Sequence, residues 1–133
     1  MLFRSRAAEG PEGELLDLFG RAGEIIRLDE PLIEPAMAIM SCGPAFFSLV
    51  AEAFADAGAA HGLEPADARR MTIRTMAGTG DWLGVHDDDL EDLRRRVATP
   101  GGATERGLNT LESEGLRQVC RAAVDAVVAG TRS

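Results

Sequence analysis

The residues in this chain whose types and spacing suit chemistry form one loop, Thr99-Pro100-Gly101-Gly102-Ala103-Thr104, directly ahead of a helical stretch. Two glycines after a proline let the backbone turn sharply. A turn of that kind before a helix points several N–H groups at one spot, where the helix dipole adds attraction for a carboxylate or a phosphate. Thr99 and Thr104 place a hydroxyl on either side. The same residues also suit a plain helix-to-helix turn, with glycine chosen for a positive φ. Local sequence leaves both readings open.

Other groups are weaker candidates. His86 followed by Asp87, Asp88 and Asp89 brings metal-ligating side chains together, but neighbours on one turn point apart and no second histidine stands at ligand spacing. Helix capping and solvation are the favoured reading there. Arg94-Arg95-Arg96 is read first as a solvated face balancing the acids before it, and second as help for an anion near the loop. Gly78-Thr79-Gly80, with Gly84 after it, has neither the spacing nor the preceding strand of a dinucleotide fingerprint. His61 stands beside a helix-ending glycine, where an imidazole meets free carbonyls, and no catalytic role is assigned to it.

Composition narrows the class. At 133 residues, 45% of them hydrophobic and 27% charged, the chain suits one folded domain with one core. Its apolar runs read as too short for a membrane span. The net charge is −8, and no lysine occurs, which excludes a phosphate-neutralising surface for nucleic acid. Few aromatics and many alanines favour packed helices. Cys42 and Cys120 lack metal-ligand spacing and are expected as buried, reduced thiols, which suits the cytoplasm. The first ten residues are too polar for an export signal.

Along the chain, Pro11 begins a short helix through Leu15, Leu16, Leu18 and Phe19, ended by Gly20 and Gly23. Glu24 to Asp29 reads as a single strand that needs a partner, which Leu2 to Arg6 could supply. Pro31 and Pro35 punctuate a helical segment through Met37 and Met40. Gly43-Pro44 then opens a long helix with two apolar stripes, Phe47, Val50, Phe54 and Ala57 on one side and Phe46, Leu49 and Ala53 on the other. A helix covered on both sides in so small a chain implies cover from a second subunit. Gly62 closes it and Pro65 opens the next helix, which is expected to weaken around Gly78, Gly80 and Gly84. Asp87 to Asp89 start a helix whose buried face is Leu90, Leu93 and Val97. After the loop come a helix through Leu108 and Leu111, a stop near Gly115, and an amphipathic helix through Leu116, Val119, Cys120, Ala123, Val124 and Val127.

Two segments in order carry a family resemblance. Met40-Ser41-Cys42-Gly43-Pro44-Ala45-Phe46, running on to Glu52-Ala53-Phe54-Ala55-Asp56-Ala57-Gly58 and Gly62-Leu63, is one. Thr99-Pro100-Gly101-Gly102-Ala103-Thr104, then Gly107-Leu108 and Leu111-Glu112-Ser113-Glu114-Gly115-Leu116-Arg117, is the other. Together they resemble the carboxyl-terminal domain of pyrroline-5-carboxylate reductases, whose members pair a Ser-Gly-Ser-Gly-Pro-Ala-Tyr helix start with a Ser-Pro-Gly-Gly-Thr/Ala-Thr loop. The resemblance runs from about Gly13 to about Val128. Met40 and Cys42 stand where serines are usual, and Phe46 where tyrosine is.

The resemblance implies an all-α helical bundle of the 6-phosphogluconate-dehydrogenase C-terminal-like kind, interlocked with a second copy as a homodimer. Residues 1–30 would be a strand-helix-strand remnant of a nucleotide-binding domain, and 31–133 the dimerisation and substrate-loop domain. It further implies that the amides of Gly101, Gly102 and Ala103 hold the carboxylate of proline or pyrroline-5-carboxylate. Thr104 would meet the ring nitrogen, and Thr99 and Pro100 would shape the loop. Only about forty residues precede the first motif, too few for a doubly wound dinucleotide domain. No cofactor is therefore expected on these residues alone, and the NAD(P)H of the complete family enzyme would come with a nucleotide-binding unit, for which a separate chain is one source. Catalytic residues stay unassigned. The alternative is a stand-alone, non-catalytic dimeric binding or assembly module with neither nucleic acid nor membrane as partner.

Overall fold

The computed structural model describes residues 2–3, 12–21, 23–86 and 89–131. They form two compact units, Met1–Gly43 with Arg121–Ser133, and Pro44–Cys120.

In the first unit, strand β1 (Leu2–Phe3) pairs with β2 (Ile26–Arg27) in parallel, Leu2 opposite Ile26 and Phe3 opposite Arg27. Parallel strands need a crossover, and helix α1 (Glu12–Gly20) lies between them in the chain. The strand read over Glu24 to Asp29 thus shrinks to two residues and finds its partner at the start of the segment proposed for it. Arg4 to Arg6, and the helix start at Pro11, lie outside the described residues. A 3-10 turn over Glu30–Leu32, with proline in its first positions, leads into α2 (Ile33–Met40). Ala38 there is fully buried, a small side chain at a close approach.

The second unit begins with α3 (Gly43–Ala60). Its end is a Schellman cap: Gly62 adopts φ +96°, its N–H donates to the Ala59 carbonyl at 2.9 Å, and Leu63 N–H reaches the Gly58 carbonyl at 3.2 Å. A Cβ on Gly58 would stand 3.2 Å from Leu63 Cδ1 and 3.5 Å from the Ala68 methyl. The hairpin closes on small residues, with Ala55 and Ala68 both buried. Pro65 opens α4 (Pro65–Val85), and Glu64 caps it by accepting from Asp67 N–H at 3.1 Å. Contrary to the expected weakening, α4 continues through Gly78, Gly80 and Gly84. Each glycine costs about 1 kcal/mol against alanine. At the end of the helix Trp82 stacks on His86, ring centroids 4.4 Å apart, and the Trp82 carbonyl meets His86 Nδ1 at 2.9 Å.

Asp89 caps α5 (Leu90–Val97) by accepting from Glu91 N–H at 3.3 Å. Asp87 and Asp88 lie outside the described residues. Helix α6 (Ala103–Ser113) follows the loop, Gly115 turns the chain at φ +83°, and α7 (Leu116–Thr131) completes it.

Several faces read as buried are not covered within the chain. Leu90 is 60% and Val97 58% exposed, and Leu116 and Val119 are also exposed. Both cysteines are free, but Cys42 is only half-buried and Cys120 is exposed, which corrects the expectation of buried thiols. On α3, Phe47 is 59%, Leu49 66% and Phe54 53% exposed. Periodicity identifies an apolar face correctly but is silent on which chain covers it. The same deficit alters the hydropathy reading. Taken through the turn at Ser41–Cys42, Glu30–Ala60 is long and apolar enough to cross a membrane by length and composition. The turn interrupts it, and Glu52 and Asp56 stand on α3, so a protein-covered surface fits better than lipid.

Candidate functional site

The loop Thr99 to Thr104 is built by two local devices. Pro100 and Gly101 occupy the centre of a turn closed by Gly102 N–H on the Thr99 carbonyl at 2.9 Å, with Gly101 at φ +72°. Proline followed by a glycine at positive φ is the type II signature. Gly102 itself sits at φ −76°, ψ 173°, as the cap of α6. Its lack of a side chain matters for another reason, since a Cβ there would run into Thr99 Oγ1 and stand 2.9 Å from the Thr99 carbonyl oxygen. Gly101 therefore supplies the backbone freedom, and Gly102 the close approach.

The first turn of α6 grips the loop from the other side. Gly101 N–H donates to Glu105 Oε2 at 2.7 Å, and the Arg106 guanidinium donates to the Gly101 carbonyl at 2.8 Å. Of the amides expected to hold a carboxylate, those of Gly101 and Gly102 are thus already engaged inside the loop. The N–H groups of Ala103, Thr104 and Glu105 head α6, where no carbonyl of the helix lies four residues back. They are the donors left at the positive end of the dipole. Pro100, Ala103 and Thr104 are exposed, and Gly102 is half-buried. Glu105 and Arg106 were not singled out from sequence. The available signal was a glutamate three residues after the cap, the spacing of a capping box.

The three arginines of α5 do not act as one patch. Arg95 pairs with Glu91 at 3.2 Å and with Asp92. Arg96 lies 5.7 Å from the centre of the Trp82 ring, a cation–π contact. The Arg95 guanidinium, by hydrogen bond and then by charge, holds the Asp92 carboxyl below its ordinary value. Beyond the loop, Arg117 grips Glu112 and lowers its carboxyl in the same way, with a smaller contribution from Arg94.

A second feature of this unit is an open cleft of about 600 Å³ between α3 and α4, lined by Phe47, Ser48 and Ala55 on one side and Arg69, Ile73 and Met76 on the other. The helices touch at the Gly58–Ala68 contact and leave apolar wall beyond it. Burying one such Phe or Ile side chain contributes roughly 1.5–3 kcal/mol, so covering the cleft and the exposed α3 stripes is strongly favourable.

The sequence profile for pyrroline-5-carboxylate reductase dimerisation matches residues 30–133. The chain belongs to the pyrroline-5-carboxylate reductase dimerisation family. Among relatives, it is 41% identical over 112 residues to the pyrroline-5-carboxylate reductase of Neurospora crassa, an alignment spanning 84% of this chain and 33% of that protein. It is 36% identical over 110 residues to the Thermus thermophilus enzyme, covering 82% and 41%. Among solved structures, it superposes on the Coxiella burnetii pyrroline-5-carboxylate reductase with a TM-score of 0.88 at 29% identity, covering 96% of this chain and 48% of that one. The Plasmodium falciparum enzyme, solved with NADP bound, gives a TM-score of 0.85 at 27% identity, covering 97% and 50%. The chain thus spans between a third and about half of these proteins. It is an all-α dimerisation domain of this reductase family, and α3, α5 and α7 each carry exposed apolar side chains.

Proposed function

We propose that this domain forms a homodimer, in the cytoplasm, and presents the Thr99–Thr104 loop to a small carboxylate, proline or pyrroline-5-carboxylate. In a complete reductase, NAD(P)H held by a nucleotide-binding unit would deliver hydride to the imine carbon of that ligand. The observation that carries this reading is the loop itself, a type II turn locked onto the first turn of α6, with Ala103 and Thr104 exposed at the helix start. The chain's part is placement: fixed donors hold the carboxylate so that the ring stands in one orientation for attack. Residues 1–30 are then the end of the nucleotide-binding unit, consistent with their parallel strand-helix-strand order.

Mixing this chain with a nucleotide-binding chain of the family, with pyrroline-5-carboxylate and NADPH, tests the catalytic part. NADPH oxidation that needs both chains supports a reductase half. No turnover under conditions where the two chains co-sediment would favour the second reading, a non-catalytic assembly module, which the uncovered apolar faces support equally well.

A further inference from the structure

We infer that Glu105 is a built-in competitor for the ligand carboxylate, setting how tightly the loop binds its ligand; this rests on the reading of Thr99–Thr104 as a carboxylate site. A carboxylate-binding turn is defined by unengaged N–H donors, and here one is engaged by the chain's own carboxylate, Glu105 Oε2 on Gly101 N–H at 2.7 Å. A charged acceptor on a backbone N–H is stronger than a neutral one. The contact is also held in place. Arg106, the next residue, bonds the carbonyl of the same glycine at 2.8 Å, so the first turn of α6 clasps Gly101 on both sides.

The consequence is twofold. An incoming carboxylate finds the amides at the head of α6, Ala103 to Glu105, and not that of Gly101, and it approaches the fixed negative charge of the Glu105 side chain. Binding through Gly101 requires Glu105 to swing away first. The residue thus trades affinity for a loop that stays ordered when empty. No bond is made or broken covalently, and the exchange is one carboxylate for another on the same N–H.

The test compares the full 133-residue chain with E105Q and E105A by amide chemical shifts during titration with proline and, separately, acetate. In the unliganded protein, E105A should move the Gly101 amide signal upfield, while E105Q, which keeps an acceptor but no charge, should move it less. With ligand, both variants should bind about three- to tenfold more tightly than the parent, and Gly101 should join Ala103 and Thr104 among the shifting amides. Equal or weaker binding by E105A, with Ala103 and Thr104 still responding, overturns the competitor role and leaves the carboxylate site standing. No loop response in parent or variants overturns the site itself.

Discussion

The Arg117 guanidinium clasps the Glu112 carboxylate across the Gly115 turn, Nη2 to Oε1 at 2.7 Å and Nε to Oε2 at 2.8 Å. The pair ties the end of α6 to the start of α7. Arg117 lowers the Glu112 carboxyl, and Glu112 in turn raises the guanidinium. A carboxyl lowered in the folded state stabilises it above the unfolded-state value and stops doing so as pH falls through the folded value. The pair's contribution is therefore complete at neutral pH and disappears in acid. Carbon-detected titration of Glu112 should show a midpoint below that of exposed glutamates, and R117Q should move it upward. An unchanged midpoint in R117Q would contradict the assignment.

The two loop glycines should fail differently. Gly101→Ala asks an L-residue to hold φ +72°, at a cost of about 1–2 kcal/mol, and leaves space for the methyl. Gly102→Val meets Thr99 and should open the turn. Thermal unfolding and the Gly101 amide signal separate them: G101A lowers the midpoint but keeps the Glu105 contact, whereas G102V loses it. Identical behaviour of the two variants would refute the separate roles given to them.

The exposed stripe of α3 should be a dimer contact. Phe54→Asp puts a charge on a residue that is 53% exposed in one chain and should shift sedimentation toward one-chain mass. Leu49→Ala should weaken association by roughly 2 kcal/mol. If F54D sediments like the parent at low micromolar concentration, this face is not the interface.

Trp82 is the only tryptophan and reports the join between α4 and α5. Removing the stacked imidazole in His86→Ala should change its emission, and Arg96→Ala should cost about 0.5–1 kcal/mol of stability. Emission and unfolding unchanged in both variants would place these side chains apart in solution.

Punctuation was the legible part of this sequence. Gly62 and Pro65, Gly43-Pro44 and Asp89 act on the chain within one turn, and each ends or starts a helix where its chemistry requires. The loop was legible as a donor-rich turn, but which glycine carries the positive φ depends on the turn type, and that followed only from the Thr99–Gly102 hydrogen bond. Glu105 stands at capping-box spacing from Gly102, but its reach past the cap to Gly101 leaves no periodic trace. The exposure of Leu90, Val97 and Val119 was illegible for a different reason. An apolar face states that it will be buried, and the burying surface need not belong to the same chain. Continuation of α4 through Gly78, Gly80 and Gly84 shows that three glycines lower helix propensity without setting where the helix ends.

A proline titration followed by amide shifts tests the loop as a carboxylate site most directly. Without a nicotinamide ring over the ligand, binding should be weak, at about millimolar affinity. The expected result is a saturable response centred on the amides of Ala103 and Thr104, with the rest of Thr99 to Thr104 following. Shifts confined to residues outside the loop, or none at high ligand concentration, would contradict it and leave Thr99–Thr104 as a structural turn.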